Sequence, residues 1–190
     1  MSAVITPNAE HAPGPLGRTG TPVRPRVPPL YTPQQKQRRD ASRWTLVQGV
    51  LAPVQFLVFL VSLALVVRFL ATGEGLAAAT ASVVVKTGVL YLIMITGCIW
   101  EKVVFGVYLF APAFYWEDVF SMLVLALHTA YLGAVAMDAL APGPLMGLAL
   151  AAYAAYVINA GQFLLKLRAA RLQAEADALE AAQQPTEARA

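Results

Sequence analysis

Cys98 is the only cysteine in the chain, which excludes an internal disulfide and a cysteine zinc cluster. It lies within an apolar run, where a thiol packs as a small hydrophobe. Charge is scarce too, since Asp, Glu, Lys and Arg make up 13% of the residues against 58% apolar ones. A water-soluble domain of 190 residues is not built this way. Also missing are a phosphate-binding loop, a dinucleotide fingerprint, a Gly-x-Ser-x-Gly elbow and a His-x-x-x-His pair, so the chemistries those motifs serve are excluded. The two histidines, His11 and His128, lie far apart in the chain.

What is present is apolar sequence, confined to the middle. The stretches before Trp44 and after Lys166 are polar, and nearly everything between is Leu, Val, Ala, Ile or aromatic. Residues 1–30 are rich in Pro, Gly and Ala, contain no apolar run able to form the core of a signal peptide, and read as a disordered tail. Thr32, Pro33 and Gln35 mark a helix start, with Thr as cap, Pro at the first position and Gln closing a capping box. A short basic surface helix should follow.

Four runs are long enough to cross a hydrocarbon core of about 30 Å at roughly 1.5 Å per residue. They cover 46–70, with Pro53 inside, 76–100, 117–140 and 145–167. The run VVFGVYLFAPAFYW at 103–116 is apolar but short and broken by Gly106 and Pro112, so it reads as an interfacial or re-entrant segment. The fold class expected is an all-α integral membrane protein, a four-helix transmembrane bundle with that segment between its second and third helices. Residues 173–190 form a polar C-terminal extension whose first part has a helix-forming composition.

An even number of crossings places both termini on one side. That side carries Arg18, Arg24, Arg26, Lys36, Arg38, Arg39, Arg43, Lys102, Lys166, Arg168 and Arg171, and the other only Arg68, Glu74 and Asp138. The positive-inside bias makes both ends cytoplasmic, and it accounts for the net charge of +3 without nucleic acid as a partner.

Ionisable groups inside a bilayer are costly and mark functional positions. With the helices antiparallel, His128, Tyr156, Asn159, Gln55, Tyr91 and Lys86 fall near mid-depth. Glu101, Glu117, Asp118, Gln48, Gln162 and Lys166 fall near the cytoplasmic boundary. At about 100° per residue Glu117 and His128 sit roughly 20° apart on one helix, with Ser121 and Tyr131 beside them. Tyr156, Asn159, Gln162 and Lys166 make a second stripe, and Gln48, Gln55 and Ser62 a weaker third; the stripes should face one another.

Each group has a structural and a functional reading. Gln48, Ser62, Thr87 and Thr96 read as interhelical hydrogen-bond glue. His128 is either a neutral imidazole bonded to Asn159 or a tyrosine, or a metal ligand or acid-base group. Lys86 either snorkels outward or faces a site. Glu101, Glu117 and Asp118 either terminate helices at the water boundary or, beside a wall of Trp100, Phe114, Tyr115 and Trp116, include a carboxyl that keeps its proton and acts as a general acid.

Several runs carry a resemblance. They include Trp100-Glu101-Lys102-Val103-Val104-Phe105-Gly106, Phe114-Tyr115-Trp116-Glu117-Asp118-Val119-Phe120, ALHTAYL and LALAAYAAYVINAGQFLLKLRAARL. Over about Tyr31 to Leu172 the chain resembles the 2-vinyl bacteriochlorophyllide hydratase family. The resemblance implies an enzyme that adds water to the C3-vinyl group of chlorophyllide a, giving the 3-(1-hydroxyethyl) derivative in bacteriochlorophyll a synthesis. It implies a bacterial inner, intracytoplasmic, membrane as its location, no redox cofactor and no metal of its own, since the substrate brings its magnesium.

The chemistry implied asks for a proton and a water. Glu101, Glu117 and Asp118 are the catalytic candidates. His128 is a candidate ligand to the substrate magnesium, and Lys102 or Lys86 suits the propionate. Trp116, Tyr156, Asn159 and Gln162 are further substrate-binding candidates. Glu117 and His128 lie roughly 16 Å apart along their helix at 1.5 Å per residue, too far to serve one vinyl edge and one magnesium easily. Membrane lipid and other pigment-synthesis enzymes are expected contacts. A non-enzymatic pigment-binding or assembly protein and a small carrier subunit remain as alternatives.

Overall fold

The computed structural model describes residues 29–183; the expected disordered tail therefore lies outside the described residues but for its last two positions. Among the described residues five helices follow one another: α1 (Pro33–Ala41), α2 (Arg43–Thr72), α3 (Leu76–Phe105), α4 (Tyr115–Ala136) and α5 (Pro142–Gln183). Four of them, α2 to α5, are long and apolar enough to cross a membrane, and the chain is an all-helical membrane bundle.

Local chemistry sets the boundaries. The α1 capping box is present, with Gln35 N donating to the Thr32 hydroxyl and the Gln35 amide receiving the Thr32 N–H. The first crossing starts earlier than its apolar run, at Arg43, because the Ser42 hydroxyl accepts from Trp44 N and caps it. Gly73 and Gly106 stop α2 and α3 in the left-handed conformation, at φ 75° and 86°. Thus α3 runs through Glu101 to Phe105 rather than ending at 100. The third crossing ends at Ala136 rather than 140, ahead of Asp138 at φ 48°. Pro142 opens α5, which continues unbroken through the first part of the polar extension to Gln183.

Residues 106–114 are a non-helical connection from α3 to α4, and the flanking parts of the expected interfacial run belong to those helices. The connection tucks Ala111 and Phe114 inward and leaves Tyr108 and Phe110 exposed.

Helix α2 packs chiefly on α3 and α4 on α5, with α2 also meeting α5 and α3 meeting α4. The neighbours run antiparallel. Trp100 Nε1 donates to the Thr45 hydroxyl at 3.0 Å, the Gln48 amide to Thr96 at 2.7 Å, and Ser62 bonds Ser82 at 2.7 Å. One apolar core, with Phe59, Val66, Val83, Met146 and Tyr153, fills the end away from the termini. A smaller layer of Leu90, Val124 and Ala155 closes the middle.

Adding a Cβ at Gly73 strains a left-handed backbone, whereas Gly49 is helical with open space around it. Gly73→Ala should therefore lower the stability of the purified protein by about 1 kcal/mol, and Gly49→Ala should leave it equal or raise it by up to about 1 kcal/mol. Chemical unfolding in micelles measures both.

Candidate active site

The polar stripes do meet. Glu117, Ser121, His128 and Tyr131 all lie buried along α4. Opposite them on α5, Lys166 forms an ion pair with Glu117, and the Asn159 amide donates to the Ser121 hydroxyl at 2.8 Å. Tyr153, which the sequence did not single out, joins the network through a 2.5 Å hydrogen bond with Ser62. Its place in an apolar Ala-rich stretch gave no signal beyond the hydroxyl itself.

Two groups of ionisable residues result, at different depths. The deeper one is Lys86 and His128, both 0% exposed, with Lys86 Nζ 2.7 Å from His128 Nε2. His128 Nδ1 lies 2.7 Å from the carbonyl of Val124, which can only accept, so Nδ1 carries the proton and Nε2 accepts from the amine. The amine also lies over the rings of Tyr156, at 4.4 Å, and Tyr153, at 5.3 Å. Two readings that the sequence left open are resolved here. Lys86 does not snorkel outward, because the imidazole and two aromatic faces satisfy it inside; and the partner of His128 is Lys86, not Asn159 or a tyrosine. With both ring nitrogens engaged, His128 reaches a magnesium only by releasing Lys86.

The shallower group is Glu101, Glu117 and Asp118, all buried at the end that carries the basic residues. Glu101 lies near the end of α3 and Asp118 in the first turn of α4, and their carboxyl groups are in hydrogen-bond contact. The connection between the helices caps the pair. Phe110 N donates to Asp118 Oδ2 at 2.7 Å, and Ala111 N approaches Glu101 Oε2 at 3.5 Å. Phe110 holds φ 60°, a conformation rare for a side chain of this kind, and this turn aims its amide inward. Glu117 stands apart from the pair in having Lys166 as its counter-ion.

Aromatic rings surround this end, differently from the wall expected. Phe114 is the hub, with ring centroids 5.8 Å from each of Trp100, Phe105 and Phe163 and 6.3 Å from Tyr31. Tyr31 arrives from the segment before α1, with the Arg39 guanidinium 4.7 Å above its ring. Burial holds the Tyr31 phenol above its usual pKa range, with Arg39 pulling the other way. Trp100 and Phe114 therefore pack within the cluster, while Tyr115 and Trp116 face outward, Trp116 at 66% exposure. Lys102 is also at the surface, donating to the Gly106 carbonyl at 2.8 Å and lying 5.0 Å from the Tyr108 ring.

Of the remaining candidates, Asn159 is buried, and Tyr156 and Gln162 are half-buried. Tyr156 sits at the Lys86–His128 pair, and Asn159 and Gln162 follow it along α5 toward the carboxyl groups. Surface hollows of about 210 and 360 Å³ occur elsewhere, the first at the Leu76, Asp138 and Leu145 end and the second beside Arg168 and Arg171; neither is lined by a candidate site residue.

This arrangement sets a carboxyl pair under two backbone amides at one end of an apolar bundle. The family profile of 2-vinyl bacteriochlorophyllide hydratase matches residues 31–169. The chain belongs to that family. It is 68% identical, over 82% of its length and 98% of the relative's, to the 2-vinyl bacteriochlorophyllide hydratase of Cereibacter sphaeroides. It is 64% identical, over 83% of its length and 91% of the relative's, to the protein of that name from Rhodobacter capsulatus. No solved structure matches the chain. The matched region contains the carboxyl pair, its capping connection and the Lys86–His128 pair, and it leaves the distal part of α5 outside.

The Lys86–His128 contact yields a direct test. His128→Leu strands a buried amine and should cost about 1–3 kcal/mol, whereas Lys86→Met combined with His128→Leu should recover most of that loss. A double-mutant cycle of unfolding free energies measures the coupling.

Proposed function

We propose that this chain is a hydratase that adds water across the C3-vinyl group of chlorophyllide a, giving the 3-(1-hydroxyethyl) product on the way to bacteriochlorophyll a. The names of its relatives support the reaction. The single structural observation that carries it is the contact between Glu101 and Asp118 beneath the Phe110 and Ala111 amides.

Two carboxylates repel, so carboxyl groups in hydrogen-bond contact hold a proton between them. The short bond from Phe110 N favours the charged form of Asp118, which leaves Glu101, with its longer contact, as the holder of that proton. Glu101 then gives the proton to the terminal vinyl carbon, where the alkene's electron pair forms the new C–H bond. Positive charge develops on the carbon attached to the macrocycle, whose conjugation spreads it. A lone pair of water forms the C–O bond there, and the proton that the water sheds returns to the carboxylate pair. Atoms and electrons balance without an oxidant or reductant, so no redox cofactor enters the reading. Glu117, paired with Lys166, serves the site as an ion-pair partner rather than as the donor.

The macrocycle approaches from the side of the connection. Tyr108, Phe110, Tyr115 and Trp116 offer exposed aromatic faces there, and Lys102 offers a cation for the propionate. His128 and Lys86 serve as a clasp between α3 and α4. Tyr156, Asn159 and Gln162 lie too deep in the packed bundle to meet the ring edge-on, and they act on the polar interior. The basic residues of α1, with Lys102, Lys166, Arg168 and Arg171, support a cytoplasmic side for this end, and the helical spans support an inner-membrane location. Water and pigment then reach the same end.

Membranes containing the protein, incubated with chlorophyllide a, should form a pigment heavier by one water, read by chromatography and mass spectrometry. No product under conditions where a relative turns over would remove the reading. Glu101→Gln and Asp118→Asn should each lower kcat by about 100- to 10,000-fold with pigment binding retained. Glu117→Gln should lose less, and full activity in both of the first two variants would place the acid elsewhere.

A further inference from the structure

Three amide side chains in the bundle have polar atoms without a hydrogen-bond partner among the described residues: both ends of Gln55, Oδ1 of Asn159 and Oε1 of Gln162. Gln55 is 1% exposed and Asn159 9%. A dry, unbonded amide in a protein interior costs on the order of 1–3 kcal/mol by mutational measures, so a concentration of them marks a place where something polar binds.

The register of α2 on α5 brings them together. Ser62 meets Tyr153, and one turn earlier on α2 the Phe59 ring lies 5.0 Å from that of Tyr156. A further turn in the same directions brings Gln55 to the level of the Asn159–Gln162 segment. We propose that Gln55, Asn159 and Gln162 hold a bound water between α2 and α5, and that this water is the one added to the alkene. The second half of the proposal rests on the hydratase reading; the first does not.

Water fits the inventory of groups. A bound water donates twice and accepts at least once. Asn159 Oδ1 and Gln162 Oε1 are acceptors, and the Gln55 amide supplies a donor whichever way it is turned. A macrocycle does not fit, because Leu90, Val124 and Ala155 close the same region of the bundle. The site is also connected to the carboxyl pair. Asn159 donates to Ser121, and Ser121 lies one turn along α4 from Asp118. A water leaving the amides for the reacting carbon therefore passes polar groups rather than the apolar core.

The test uses the full chain in lipid nanodiscs. Radiolytic hydroxyl labelling marks side chains beside bound water, and mass spectrometry reads Tyr156 and Met94, with lipid-facing Leu164 and Leu165 as references. Tyr156 should be labelled above the references, and the excess should vanish in Gln55→Leu and in the milder, half-buried Gln162→Leu. Both variants should lose about 100-fold in kcat at an unchanged KM for the pigment, the signature of a misplaced nucleophile. An unlabelled Tyr156 in the unsubstituted protein would overturn the site, the amides then bonding one another directly. Labelling with full kcat in both variants would overturn its role in the reaction. If the unsubstituted protein forms no hydrated pigment, the hydratase reading fails, while the labelling still decides whether water binds.

Discussion

Hydrocarbon offers no hydrogen bonds, so a polar side chain carried into the bilayer is satisfied by another helix, by its own backbone or by a bound water. That requirement organises the bundle. Thr45 with Trp100 and Gln48 with Thr96 tie α2 to α3, and Ser62 with Tyr153 ties α2 to α5. Lys86 with His128 ties α3 to α4, and Ser121 with Asn159 and Glu117 with Lys166 tie α4 to α5. Each contact contributes about 0.6–2 kcal/mol by analogy with other membrane bundles. Their larger effect is on rotation, since a helix turned by one residue would aim these groups at lipid.

The carboxyl pair is the exception to this pattern, and the proposed chemistry rests on it. Glu101 and Asp118 meet each other instead of a cation, and the groups that steady them are backbone amides of a connection forced into an uncommon turn at Phe110. Amides stabilise negative charge without giving up a proton of their own, so in the proposed mechanism the carboxyl proton stays available. The neighbouring Glu117–Lys166 pair shows the contrast: the same kind of side chain, one residue from Asp118, becomes an ion pair. Position around the helix decides which carboxyl meets another carboxyl and which meets a cation.

Much of this was legible from residue order. Four apolar runs, the α1 capping box and the polar stripe from Glu117 to Tyr131 follow from length, side-chain chemistry and helical period. What periodicity does not encode is which helix supplies the partner. Lys86 lacked a carboxylate at any helical spacing, so its imidazole acceptor, contributed by α4, could not be read. The same holds for Phe110, whose amide is invisible in a side-chain pattern. The outward turn of Tyr115 and Trp116 depends on where α4 begins, and the aromatic run around it conceals that point.

The shared proton is the claim on which the chemistry turns, and infrared difference spectroscopy of the protein in nanodiscs reads it directly. At neutral pH a carbonyl stretch from a protonated carboxylic acid should be present, should shift in deuterium oxide, and should be absent from Glu101→Gln. A spectrum with no protonated carboxyl at neutral pH, or one unchanged by that substitution, would contradict the account.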